Sequence, residues 1–234
     1  MSTYITESIL SQAQLDALQK GSANGAEIST HDFDVLQQSG FLVQAVPEDL
    51  GGLGLSYTEV RQQLHSLAEH SPTLARAIGA HIGWTGVAGE LWKSDNVSLE
   101  WLLREACDGA FFVSECADTT NTDRSYIPAC KIDIADGGYC FSGQTRVTPL
   151  AWSWLAISGV WSDGIVYAFV TRDAPGLLLG NGSDITLDAV FVANKHITLL
   201  HHELSPDQPA VDDMITSGYL RRIIHGIDGI SPDL

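Results

Sequence analysis

The apolar pattern of this chain changes period near Gly109, and that break constrains the fold more than any other feature. Upstream, apolar residues recur at the spacing of one helix face; downstream they fall into short runs rich in β-branched and aromatic side chains. Residues 1–109 therefore read as an N-terminal all-helical domain and 110–198 as an antiparallel β-barrel or sandwich. Residues 199–234 read as a residual C-terminal helix and tail, giving an α+β chain. A length of 234 residues suits two modest units with their own cores.

The helices carry start signals. Ser11-x-x-Gln14 opens a run with Leu15 and Leu18 on one face, and Thr30 precedes a second run with Phe33 and Leu36 that Gly40 closes. Ser56 and Glu59 have capping-box spacing, followed by Val60, Leu64, Leu67 and Ala68 on one face. Ser71-Pro72 places a cap and a first-turn proline before "TLARAIGAHIGWTGVAGELW", whose small and apolar residues on all sides read as a buried helix. A last helix spans Ser98 to Ala106.

The extended runs are "AFFVS", "CKIDIA", "YCFSG", "WLAISGVW", "IVYAFVT" and "ITLDAVFV". Asp136-Gly137 and Asp163-Gly164 lie between neighbours, where Asp-Gly supplies the positive φ of a tight hairpin.

Charge excludes one class of partner. Twelve Lys and Arg against 29 Asp and Glu leave a net charge of −17, a field that repels nucleic-acid backbones. Cys107, Cys116, Cys130 and Cys140 contain no C-x-x-C pair, so reduced thiols are expected. "MSTYITESIL" lacks a basic start and an apolar run, and no stretch has the apolar length of a membrane span, so a cytoplasmic protein is expected.

Residues 40–57, "GFLVQAVPEDLGGLGLSY", resemble the acyl-CoA dehydrogenase superfamily signature V-P-E-x-x-G-G-L-G-x-S. "TEVRQQLHSLAEHSPTLARAIGAHIGW" continues the likeness, as do "VSE" at 113–115 for V-T-E-P, "FSG" at 141–143 and "ITLDAVFV" at 185–192, in consistent order over about residues 30–195. The resemblance implies a helical domain, then a β domain against which a flavin, FAD, lies. It also implies a C-terminal four-helix bundle that carries the catalytic glutamate and builds the oligomer, and no stretch here resembles that bundle beyond "MITSGYLRRIIHGI".

The resemblance places Val113, Ser114, Thr119, Thr120 and Thr148 at the flavin, with Thr120 also meeting substrate; it assigns no catalytic residue and no metal ligand in this chain. The pattern is imperfect. Cys116 stands for the V-T-E-P proline, "DTTN" for A-G-S-D, and "GQTRVT" lacks the Lys and Trp of the family's W-I-T element, leaving Trp152 or Trp154 as a substitute aromatic wall. Glu115 reads as solvated or structural, His81 as a hydrogen-bonded core histidine, His201-His202 as an exposed loop pair and Arg221-Arg222 as surface ion-pairing residues. Gly-Gly-Leu-Gly lacks the strand and Lys-Ser/Thr of a phosphate loop and reads as a structural corner.

Three functions follow. The first is an acyl-CoA dehydrogenase-like subunit acting on the CH–CH group of an acyl thioester, with a partner chain, such as a full-length homologue, supplying the bundle. The second is a non-catalytic relative serving binding or assembly as a homo- or hetero-oligomer. The third is a flavin-dependent monooxygenase using reduced flavin and oxygen on aromatic or heteroatom substrates.

Overall fold

Each early helix begins at a polar residue whose side chain answers amide groups that the first turn leaves without partners. These helices belong to a computed structural model that describes residues 8–22, 28–115, 130–147, 151–161 and 164–201. Contacts gather into two compact units that part between Gly109 and Ala110.

Helix α1 spans Gln12–Ser22, with the Ser11 amide donating to Gln14 Oε1 at 2.9 Å, and it buries Leu15 and Leu18. Helix α2, Thr30–Gln38, is capped by Ser29 rather than Thr30: the Ser29 amide donates to Asp32 Oδ2 at 2.9 Å, so the box starts one residue earlier than the sequence reading. Gly40 follows it at φ 77°, the left-handed conformation that ends helices.

Helix α3, Tyr57–His70, has the expected box, with the Ser56 amide donating to Glu59 Oε2 at 2.8 Å. Its face of Val60, Leu64, Leu67 and Ala68 is buried, and it packs on α4, Pro72–Lys93. Ser71 does not cap α4 through its side chain; its amide closes α3 by donating to Leu67 O at 2.7 Å, so one residue joins the two helices. Helix α5, Glu100–Cys107, buries Leu102, Leu103 and Ala106. Among the described residues no helix is long and apolar enough to cross a membrane. Ser56→Ala removes the α3 cap hydroxyl, and urea denaturation should show a loss of about 1 kcal/mol; an unchanged midpoint would show that the box contributes nothing.

The Gly-Gly-Leu-Gly stretch is the corner expected. Two 3₁₀ turns, Phe41–Val43 and Glu48–Leu50, are tied back by Gly54 N to Val46 O at 2.8 Å and Leu55 N to Gln44 O at 2.9 Å. Helix α4 holds this corner at two points. His81 Nε2 donates to Leu42 O at 2.9 Å, and Gly89 lies so near Ala45 that a Cβ there would be 2.6 Å from its carbonyl oxygen. His81 and Gly89 are eight residues apart, close to one helix face, so the small residues of α4 let the corner seat along it.

The second unit is an eight-stranded, mostly antiparallel sheet. Its strands are β1 Phe112–Ser114, β2 Cys130–Ala135, β3 Gly138–Arg146, β4 Trp154–Trp161, β5 Gly164–Thr171, β6 Leu177–Leu179, β7 Asp184–Ala193 and β8 Ile197–His201. The order is β6-β7-β3-β2-β4-β5-β8, with β1 beside β4. Asp136-Gly137 forms the β2–β3 hairpin, Gly137 at φ 74°. Trp161 pairs with Gly164, which puts Gly164 at the head of β5 and not in the connection, contrary to the Asp163-Gly164 turn expected.

Other expectations also change. β1 and β2 both pair with β4 in parallel, so the sheet is not wholly antiparallel. β6 and β8 were not foreseen. β8 runs through 198, the expected end of the β domain, and places His201 on a strand opposite Gly164 rather than in a loop. Leu177–Leu179 is too short to show a period, and β8 follows a 3₁₀ turn of Asn194–His196 that breaks the pattern.

Candidate functional site

β4 is paired along its whole length by β5 on one edge, so β1 and β2 must share the other. β1 occupies the positions opposite Trp154 to Ala156, and β2 enters opposite Gly159. Two separate segments thus fill one strand slot, end to end. Cys130 is level with both Gly143 of β3 and Gly159 of β4. Counting three residues along β3 and back along β4 carries Arg146 to the level of Ala156, and so of Ser114.

Aromatic packing holds β1 in its slot. The rings of Phe112 and Trp154 stack with centroids 6.4 Å apart and planes at 10°, Phe169 meets Phe112 edge-on at 6.3 Å, and His196 meets Trp154 at 4.9 Å. Trp152 lies under the Arg172 guanidinium, 5.3 Å from its centroid. Trp152 and Trp154 are only 7% and 8% exposed; they are core residues rather than the open aromatic wall considered from sequence.

Side chains alternate faces along a strand, so Val113 and Ser114 point to opposite sides of β1. Val113 is buried at 2% exposure and Ser114 is half-buried. Of this adjacent pair Val113 packs into the core, whereas Ser114 is only partly covered. Thr119, Thr120 and Thr148 lie outside the described residues, as do Cys116, His202, Arg221 and Arg222.

Beyond Ser114, the Glu115 amide donates to Ala156 O at 3.1 Å and the Ser158 hydroxyl donates to Glu115 Oε1. The sequence reads Glu115 as solvated or structural and gives Ser158 no role; a lone Ser within an apolar strand carries no signal until its partner is known. Cys130 begins β2 beside them. Burial, and then the Glu115 carboxylate, push its thiol up to about 12, so it stays protonated. Burial and Asp108 likewise raise the Cys107 thiol. Neither is an activated nucleophile. His81 belongs to the helical core, and among the described residues no cluster of His, Cys, Asp and Glu is arranged to hold a metal ion.

The site is therefore a rigid strand end bearing a half-buried hydroxyl, next to a carboxylate already engaged by a buried serine. Such an end suits a ligand that takes hydrogen bonds from a hydroxyl and lies flat on a sheet. A flavin ring fits that description.

No protein-family model matches the sequence. The chain is 27% identical over 133 residues to a dibenzothiophene monooxygenase of Mycolicibacterium goodii, covering 56% of this chain and 30% of that one. The solved structure of KijD3 with dTDP superposes at a TM-score of 0.70 and 20% identity over 90% of this chain and 59% of that one; KijD3 has also been solved with FMN. TdsC of Paenibacillus sp. A11-2, solved with FMN and indole, superposes at 0.63 and 17% identity over 79% and 50%. The chain has the acyl-CoA dehydrogenase fold. It spans between half and three fifths of these solved proteins, and less of the curated relative. The fold is shared with flavin-dependent enzymes, and the flavin in these relatives is FMN where the family resemblance had implied FAD.

Proposed function

We propose that this chain is the helical and β portion of an FMN-dependent monooxygenase acting on an aromatic or heteroatom-bearing small molecule. The carrying observation is the match to a monooxygenase over more than half of the chain. Superposition on FMN-bound TdsC supports it. This reading replaces the acyl-CoA dehydrogenase-like subunit as the preferred one.

Bound FMN, once reduced, supplies the two electrons with which oxygen is split between the substrate and water. The chain's own share is placement. The Ser114 hydroxyl would hydrogen-bond the flavin, Val113 and the Phe112–Trp154 stack would hold β1 behind it, and the buried sheet would exclude water from one face. This scheme assigns Glu115 no base role; its Oε1 accepts the Ser158 hydrogen. Monooxygenation of this kind needs no α-proton abstraction, so it does not call for the glutamate that an acyl-CoA dehydrogenase requires.

Separate fluorescence titrations with FMN and FAD test the reading. FMN is expected to bind at least about tenfold more tightly, and Ser114→Ala to weaken FMN about fivefold, the loss of one hydrogen bond of about 1 kcal/mol. Oxygen uptake with reduced FMN and an aromatic sulfide is the activity counterpart. Preference for FAD with bleaching by an acyl-CoA would restore the dehydrogenase reading, and a protein that ignores both flavins would favour the binding or assembly relative.

A further inference from the structure

In the slot beside β4, the residues between the partners of β1 and β2 are Ile157 and Ser158, and neither meets a strand on that edge. Glu115 stands at this interruption. Its amide extends the β1–β4 ladder by one bond after the strand has ended, at 3.1 Å to Ala156 O, and its carboxylate accepts the hydrogen of Ser158, a side chain with no exposure at all. One residue thus bonds β4 at two points two residues apart, through main chain and side chain. Bringing a carboxylate into a sheet is costly unless it is hydrogen-bonded, and an apolar residue would fill the same space without that cost. What an apolar residue lacks is the directional bond.

We propose that Glu115 is a positioning residue: by accepting the Ser158 hydrogen it pins the end of β1 to the middle of β4 and so fixes Ser114, the residue that meets the flavin in the proposed function. The inference rests on that function for its consequence, though the pin itself is a property of the apoprotein. The other half of the slot feels the same group, since the Glu115 carboxylate adds to burial in raising the Cys130 thiol. Gly159, opposite Cys130, has no room for a Cβ, which would lie 2.5 Å from Ile132 Cγ1 and 2.8 Å from Cys130 O. The junction is therefore closely packed on the β2 side and hydrogen-bonded on the β1 side.

The test compares wild type, Glu115→Gln, Glu115→Ala and Ser158→Ala by amide hydrogen exchange over residues 111–115 and by FMN titration. Glutamine keeps an oxygen that accepts the same hydrogen, so Glu115→Gln should stay within about twofold of wild type in both measurements. Glu115→Ala and Ser158→Ala should each exchange about tenfold faster at β1 and bind FMN about tenfold more weakly, as expected for loss of one buried hydrogen bond. The small Ser158→Ala change guards against a variant that fails to fold. If glutamine behaves like alanine, the charge acts rather than the bond, and the proposal is overturned. If FMN weakens while exchange is unmoved, Glu115 touches the ligand itself, which also overturns it. Wild type that takes up no FMN removes the flavin reading alone; unchanged exchange in Glu115→Ala would then remove the pin as well.

Discussion

Gly52→Ala is expected to cost the helical unit about 3 kcal/mol, the upper range for forcing atoms into a packed site. A Cβ at Gly52 would lie 2.2 Å from Val46 O and 2.4 Å from Val46 Cβ. A backbone carbonyl cannot swing aside as a side-chain tip can, and Val46 is itself fully buried. To admit the methyl, the turn of residues 46–54 must open, which loses Gly54 N to Val46 O and Leu55 N to Gln44 O. The neighbouring glycines make the control. Gly54 is at φ 64°, and its Cβ would meet the flexible Glu48 side chain at 3.1 Å. Gly54→Ala therefore carries mainly backbone strain, about 1–2 kcal/mol. Thermal and urea unfolding of both variants check the ranking; Gly52→Ala no worse than Gly54→Ala would refute the account of the corner.

The second large effect is in pH dependence. His81 is fully buried, and desolvation outweighs its bond to Leu42 O, holding its pKa down to about 4 against 6.5 for an ordinary histidine. The unfolded chain therefore binds this proton in a range where the folded chain does not. Stability from this group is whole above pH 6.5, is lost as pH falls toward 4, and changes no further below that. The total is about 3 kcal/mol at about 1.4 kcal/mol for each unit of pKa. His81→Gln places an amide where Nε2 lies and removes the titration. Carboxylates titrate alike in both proteins, so the difference in unfolding free energy between wild type and variant should shrink by about 3 kcal/mol from pH 7 to pH 4. Parallel curves over that interval would mean that His81 is not held neutral by burial.

The first prediction concerns a stretch whose type was legible in the chain, and the second the α4 histidine that bonds Leu42 just before it. "VPEDLGGLGLSYTEV" announced a corner followed by a capped helix, and Ser56 with Glu59 meets that description bond for bond. Local signals of this kind survive because caps and tight turns are settled by residues three or four apart. The sequence did not distinguish the glycines. Gly51 and Gly54 are needed for positive φ, while Gly52 is needed because Val46 occupies its side-chain space, and that contact exists only after the turn has folded.

The strands divide the same way. "CKIDIA" and "WLAISGVW" became β2 and β4 at the bounds their patterns suggest, since a run of β-branched and aromatic residues is a local property. Which strands neighbour one another is not. Nothing in the chain says that β1 and β2 line up in one slot, or that the parallel pairing falls there.

By itself, then, the sequence determined an α+β chain that turns from helices to strands at Gly109, capped helices, a glycine corner and the superfamily whose fold this is. Those depend on period, caps and motif, all short-range. Tertiary structure alone decided that Val113 faces the core while Ser114 does not, that Trp152 and Trp154 are walled in, and that Glu115 finds Ser158 across 43 positions. Burial and long-range hydrogen bonds are set by sheet register, and register is fixed only when every strand has its neighbour.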